Sequence, residues 1–191
     1  MGIIGRDEFD AIFAEWLRTI RQALSPQGGG QTEEPWALVG IKRRGAVLAR
    51  RLWKELNDPV KPLLYGEVDI SLYRDDYHLQ TEKPQVLGTE ISFPVDGVKI
   101  LLVDDVLYTG RTVRAAMDLI LDFGRPRVIL LAVFLDRGHR ELPIAANFVG
   151  RAIPTEREDL VRVRLDEMGE TDGVELIRWK SGGSLEKVPE R

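Results

Sequence analysis

Between Val98 and Thr112 the chain reads VKILLVDDVLYTGRT, the stretch that most narrows what it can fold into. The unbroken apolar run Ile100–Val103 suits a strand buried on both faces of a parallel sheet. Two carboxylates, Asp104 and Asp105, are expected to close that strand. Thr109, Gly110 and Thr112 then form a small-residue loop leading into a helical pattern. Backbone N–H groups of such a loop, together with a helix N-terminus, hold phosphate. Carboxylates at the carboxyl edge of a sheet accept hydrogen bonds from sugar hydroxyls.

Apolar periodicity places further elements around this one. Arg6–Leu24 carries a helical stripe of Phe9, Ile12, Phe13, Trp16, Leu17, Ile20 and Leu24. The run SPQGGGQTEEP from Ser25 to Pro35 is a loop. Trp36–Ile41 reads as a strand, and a helix with Val47, Leu48, Leu52 and Leu56 on one side follows the basic turn Lys42-Arg43-Arg44-Gly45. Val68, Ile70 and Leu72 alternate with Glu67, Asp69 and Ser71, so a half-buried strand is expected over Leu63–Leu72. The polar stretch from Tyr73 to Glu90 is expected to be a long excursion or a pair of strands pointing away from the core, either a lid over the active site or a solvated hairpin. A helix from Val113 to Phe123 and an apolar strand Val128–Leu135 complete a βαβ unit. Short strands at Phe148–Gly150, Val161–Leu165 and Val174–Trp179 suggest a small β-rich subdomain over the carboxyl edge of the sheet, and Ser181–Arg191 a polar, mobile tail.

Composition matters mainly for what it excludes. With no cysteine and two histidines, His78 and His139, thiolate chemistry and multi-histidine metal sites are disfavoured. A net charge of −4 argues against binding nucleic acid by bulk charge, though not against a local basic patch. No apolar run approaches the roughly 20 residues of a membrane span, so the cytoplasm is the expected compartment.

The chemistry-bearing residues fall after predicted strands: Lys42–Gly45, Asp104-Asp105 and Asp136-Arg137. In an open α/β sheet these loops converge on one crevice. A ribose with phosphate at both ends matches them. TGRT suits the 5′-phosphate, the two aspartates the 2′- and 3′-hydroxyls, and the basic turn a diphosphate.

VDDVLYTGRT resembles the 5-phosphoribosyl-1-diphosphate (PRPP) motif of type I phosphoribosyltransferases. GIKRRG at Gly40–Gly45, DISLYRDD at Asp69–Asp76, VDDVLYTGRTVRAAMD at Val103–Asp118 and DRGHRELPI at Asp136–Ile144 resemble a narrower group. It is the family of bifunctional pyrimidine operon attenuators and uracil phosphoribosyltransferases. IPT at Ile153–Thr155 and LDE at Leu165–Glu167 extend the match. The resemblance implies an α/β, type I phosphoribosyltransferase-like fold: a central, mostly parallel sheet flanked by helices, a small β-rich hood and a flexible loop over the active site. It implies one domain over residues 1–180, with the loop at about 71–90, the hood at about 136–179 and a tail at 181–191. The implied reaction transfers ribose 5-phosphate from PRPP, carried as a Mg2+ chelate, to uracil, giving UMP and diphosphate.

By the same resemblance, Asp104 and Asp105 bind the ribose hydroxyls. Val106, Leu107, Tyr108, Thr109, Gly110, Arg111 and Thr112 cradle the phosphate, and Arg43 and Arg44 belong to the diphosphate turn. Tyr73 and Arg74 contact PRPP from the loop, while Arg137 and the backbone near Val161 receive the base. No residue is expected to bind a metal directly. Family members also bind a hairpin in pyrimidine-operon leader mRNA, with UMP or UTP favouring the bound state, and assemble as homodimers or homotetramers. Arg18, Arg137, His139, Arg140 and Arg151 are the candidate RNA contacts. At the two first-helix positions where the family carries a threonine and a histidine, this chain has Ala14 and Arg18. A uracil phosphoribosyltransferase without RNA binding, or an RNA regulator with vestigial catalysis, are the alternatives.

Overall fold

Residue parity along β4 (Lys99–Leu107) explains how the layers form. Leu101 and Val103 pack into a core with α1 (Arg6–Leu24) and α2 (Arg44–Leu56). Ile100 and Leu102 pack into a second core with Val113, Ala116, Leu119 and Ile120 of α3 (Arg111–Asp122). Successive side chains of a strand point to opposite faces, so this run needs a helix layer on each side. The structure is a computed structural model and describes residues 3–25, 35–71, 88–179 and 185–187.

The remaining strands of the main sheet are β1 (Trp36–Ile41), β2 (Leu64–Val68), β3 (Glu90–Ile91), β5 (Val128–Asp136) and β6 (Phe148–Ala152). The order is β3-β2-β1-β4-β5-β6. All pairs are parallel except β2–β3, which places Glu67 directly opposite Glu90. A second sheet, β7 (Leu160–Arg164), β8 (Gly173–Trp179) and β9 (Leu185–Lys187), forms the hood. Ile4 bridges to Val174 of β8. Arg51 of α2 clamps the hood through Asp172 (2.7 Å) and Glu167.

Four expectations need correction. The third predicted strand does not stop at the aspartates: β4 runs through them to Leu107, because β5 continues to pair with it as far as Leu107↔Asp136. Phe148–Ala152 belongs to the main sheet beside β5, where Trp16 donates its indole N–H to Phe148 O. The second strand ends at Val68, and its Glu67 is buried rather than solvent-facing. Within the predicted tail, Leu185–Lys187 pairs with β8. The glycine-rich loop and most of the stretch from Tyr73 to Glu90 lie outside the described residues.

Candidate active site

The loops after β1 and β4 meet as expected. A cavity of about 240 Å³ is lined by Lys42, Arg43, Arg44, Ile70, Ser71, Asp104, Asp105 and Thr112, among others. It adjoins a cavity of about 500 Å³ that shares Asp104, Val106 and Thr112 with it. The larger one runs along Val106–Ala115 at the head of α3, with Asp118 and Glu141 at its rim.

Close packing sets the first wall. A Cβ on Gly45 would lie 2.7 Å from Val103 O and 2.9 Å from Asp104 Cα. Only glycine lets the first turn of α2 rest against the strand that carries the aspartates. Lys42 at the head of this turn donates its backbone N–H to Val68 O at 2.9 Å, and the Lys42–Arg43 peptide is cis. Arg44 reaches across the crevice and donates Nε–H to Val163 O at 2.7 Å. The Arg43 side chain is exposed and makes no hydrogen bond or ion pair among the described residues.

Asp104 is 5% exposed, and its Oδ1 accepts the Asp105 backbone N–H at 2.9 Å. Burial pushes its carboxyl well above the usual carboxylate range, and the charge of Asp105 adds to the effect. Burial raises Asp105 too, against its hydrogen bond with Asp104 and the nearby charge of Arg44. A pair so placed resists carrying two charges when empty. Hydroxyl donors arriving at its oxygens relieve that penalty.

The phosphate loop is organised from outside. Arg140 donates to Tyr108 O (2.9 Å), Gly138 O (3.0 Å), Ile144 O (3.1 Å) and the Asp136 carboxylate (2.5 Å). Leu107 O accepts from the Arg137 N–H, and Thr109 O from the N–H groups of Glu141 and Leu142. A trans peptide points its C=O and the following N–H in opposite directions. Fixing the carbonyls of Leu107, Tyr108 and Thr109 therefore turns the N–H groups of Tyr108, Thr109 and Gly110 away from the 138–144 segment. Gly110 has φ +92° and caps α3 without a side-chain cap bond. The Arg111 N–H turns back to Thr109 Oγ1 at 3.3 Å, and Thr112 and Val113, whose N–H groups follow it at the head of α3, line the larger cavity, where a helix head can meet an anion.

Several predicted residues serve other ends. Arg137 is 6% exposed and donates to Asp159 O (2.5 Å), Glu156 O (2.8 Å) and Arg157 O, its guanidinium 4.1 Å from the Tyr108 ring centroid. Burial lowers its pKa. It holds the hood onto Tyr108, with its guanidinium buried beneath the surface. Arg140 is likewise consumed by its carbonyls and Asp136. His139, at φ +59°, lies against Thr155 O through Nε2 at 2.8 Å; a carbonyl only accepts, so Nε2 carries the proton. Arg111 pairs with Glu141, which also receives Arg157. Glu141 is a rim residue that motif reading passed over, although it lies inside DRGHRELPI. Val161 sits on β7, half-buried, between the carbonyls held by Arg137 and Arg44. Arg18 pairs with Glu15, and Arg151 with Glu8, on the exposed α1–β6 side. Arg74 lies outside the described residues.

Mostly parallel sheet, acidic pair near the end of its central strand, glycine-capped helix head and a small second sheet define a type I phosphoribosyltransferase. The phosphoribosyl transferase domain family matches residues 9–166. A bifunctional protein PyrR from Roseiflexus sp. (strain RS-1) is 52% identical over 144 residues, covering 74% of this chain and 79% of that protein. One from Thermus aquaticus is 51% identical over 152 residues, covering 79% and 83%. The chain belongs to the family of bifunctional PyrR proteins. A hypoxanthine phosphoribosyltransferase from Staphylococcus aureus superposes with a TM-score of 0.65 over 97% of this chain and 92% of that one, at 19% identity, a likeness of fold alone.

Proposed function

We propose that the chain transfers ribose 5-phosphate from PRPP to uracil, forming UMP and diphosphate, and that it binds pyrimidine-operon leader mRNA under control of uridine nucleotides. The observation that carries the enzymatic half is Asp104, shared by two cavities with Asp105 beside it in the smaller one, the smaller opening on the basic turn and the larger on the head of α3. Membership of the PyrR family supports both halves.

In this reading the 5′-phosphate lies on the N–H groups of residues 108–110, 112 and 113. Asp104 and Asp105 accept from the ribose hydroxyls, and the diphosphate lies at Lys42–Arg44, where the exposed Arg43 guanidinium meets it. Magnesium arrives with PRPP as part of the substrate; the described residues hold no group of three or more His, Asp or Glu side chains suited to a metal. As the bond from C1 to diphosphate breaks, positive charge grows on the ribose beside the acidic pair, and preorganised groups of this kind lower the barrier.

The base lies against the free edge of β7. Residues two apart on a strand turn their N–H and C=O to the same side. Arg137 takes Asp159 O and Arg44 takes Val163 O. Val161 stands midway and offers the same edge a donor beside an acceptor, a match for the imide face of uracil. The test is diphosphate release from Mg–PRPP with uracil, and with hypoxanthine for comparison. Turnover with hypoxanthine alone would refute the assignment.

For RNA, the α1–β6 face is the better candidate. Glu8 and Glu15 lie two turns apart on one helix stripe and hold Arg151 and Arg18 at the surface. Phosphates would replace those carboxylates as partners. A gel shift with the pyrimidine leader should strengthen on adding UMP; no binding, or indifference to UMP, would exclude this half. The implied homo-oligomer is checked by sedimentation. Among the described residues no helix is long and apolar enough to cross a membrane.

A further inference from the structure

Glu67 is a buried carboxylate that the proposed chemistry does not use. It stands on β2 directly opposite Glu90 of β3, and like charges in that register repel. Three groups compensate. Arg50 donates to Glu67 Oε1 at 2.5 Å and the Tyr65 hydroxyl to the same oxygen at 2.8 Å. The third is Lys42, whose ammonium lies 3.4 Å from Glu67 Oε2 and 3.1 Å from Glu90 Oε1, bridging the two acids. Lys42 is the first residue of the basic turn, and its backbone is tied to Val68, the neighbour of Glu67.

These contacts give Lys42 a direction. Its backbone belongs to the wall of the diphosphate cavity. Its ammonium points instead to the acids of a groove between α2 and β3, lined by Arg50, Trp53, Tyr65, Glu67 and Glu90. Glu67 is 7% exposed, so its charge is poorly screened and the bridge is anchored at its buried end. Glu90 accepts the ammonium's hydrogen bond at 3.1 Å but is mostly exposed, so water screens that contact more than the one to Glu67.

We propose that Glu67 is a positioning residue for the diphosphate end of PRPP: by binding the Lys42 ammonium it fixes the turn over Lys42–Arg44 in the shape that receives the leaving group. The inference rests on the phosphoribosyltransferase reading above. Lys42 in this account is a pin, and the direct cationic contact is left to Arg43.

The experiment is a double-mutant cycle with Glu67→Gln and Lys42→Met, reading steady-state kinetics with uracil and direct calorimetric binding of Mg–PRPP. Glu67→Gln keeps the side chain's volume and its acceptor for Tyr65. Its expected effect is a rise of about threefold to fivefold in KM for PRPP, the upper end for one lost ion pair between side chains, with KM for uracil and kcat changed less than twofold. Lys42→Met should reproduce it, and the double variant should be no worse than either single. Glu90→Gln, at the surface and unable to disturb the core, should give a smaller rise of the same kind.

Additive effects in the cycle would overturn the proposal, as would an unchanged KM for PRPP in folded Glu67→Gln. Equal losses for PRPP and uracil would reduce Glu67 to a structural residue and overturn it too. If those failures occur while the wild type binds Mg–PRPP, the enzyme reading stands without this refinement. A wild type that binds no Mg–PRPP overturns both.

Discussion

Replacing Gly45 by alanine sets two physical effects of opposite sign against each other. Gly45 lies in α2, and its backbone is not in the left-handed region. Helix propensity alone would make alanine stabilising by up to about 1 kcal/mol. Packing says otherwise. The added Cβ would sit 2.7 Å from Val103 O, 2.9 Å from Asp104 Cα and 3.0 Å from Asp104 Oδ1. Two of these are backbone atoms of the strand at the centre of the sheet, and a comfortable contact needs roughly 3.5 Å.

Either α2 or β4 must therefore retreat by about 0.6–0.8 Å. Overpacking of this kind costs about 1–3 kcal/mol, which exceeds the propensity gain. For a chain of this size each kcal/mol moves Tm by about 2–4 °C. The melting temperature is expected to fall, by up to about 12 °C. The retreat also widens the gap between the diphosphate turn and Asp104, and misplacement on the ångström scale can cost up to about a hundredfold in rate. A fall of at least about tenfold in kcat/KM for PRPP is the expected outcome. Thermal melts followed by circular dichroism and a diphosphate-release assay measure the two effects on one preparation. An unchanged or raised Tm would refute the packing argument. A lowered Tm with kcat/KM intact would show that the shift is absorbed away from the site.

Three further expectations concern neighbouring groups. Burial raises the Asp104 carboxyl in the folded chain, so the native state holds a proton that the unfolded chain releases between the ordinary and the raised values, and stability falls as pH rises through that window. Asp104→Asn keeps an acceptor for the Asp105 N–H; it should raise Tm at neutral pH, flatten the dependence of Tm on pH and reduce PRPP turnover at least about tenfold, and a Tm that tracks the wild type across pH 5–8 would refute this. Arg140→Ala strips the Tyr108, Gly138 and Ile144 carbonyls and Asp136 of their donor, a loss of about 2–4 kcal/mol; UMP affinity should fall far more than uracil affinity, and equal losses would argue against loop orientation. Arg18→Ala and Arg151→Ala should each lower the slope of log K against log salt for leader RNA by about 0.7–0.9, and an unaltered slope would remove the α1–β6 face from the interface.

The sequence makes some of this legible and hides the rest for identifiable reasons. A strand buried on both faces can only be apolar, so β4 is readable from Ile100–Val103, and the acidic pair is conspicuous because it interrupts that run. Periodicity marks Phe148–Ala152 as extended but carries no information about which sheet it joins. That follows from Trp16 and β5, distant in the chain. Glu67 reads as solvent-facing by alternation, and its burial depends on Arg50, Tyr65 and Lys42 supplying donors. β9 is three residues long and mostly polar, so only pairing with β8 identifies it.

The partners of the arginines are the part of the site that position in the chain does not reveal. Arg44, Arg111, Arg137 and Arg140 all stand near the cavities, yet each is committed to carbonyls or to a carboxylate of the protein. A side chain with five donors is well suited to organising loops that have no ladder of their own. In the proposed assignment the 5′-phosphate therefore meets chiefly N–H dipoles, aimed by peptides whose carbonyls Arg140, Arg137, Glu141 and Leu142 hold away. Dipoles with a combined charge of about half a unit at a helix head bind an anion without the full attraction of a buried point charge. An enzyme that must release a charged product after each transfer gains from that moderation, and a regulator that must sense UMP over a working range of concentration gains from it as well.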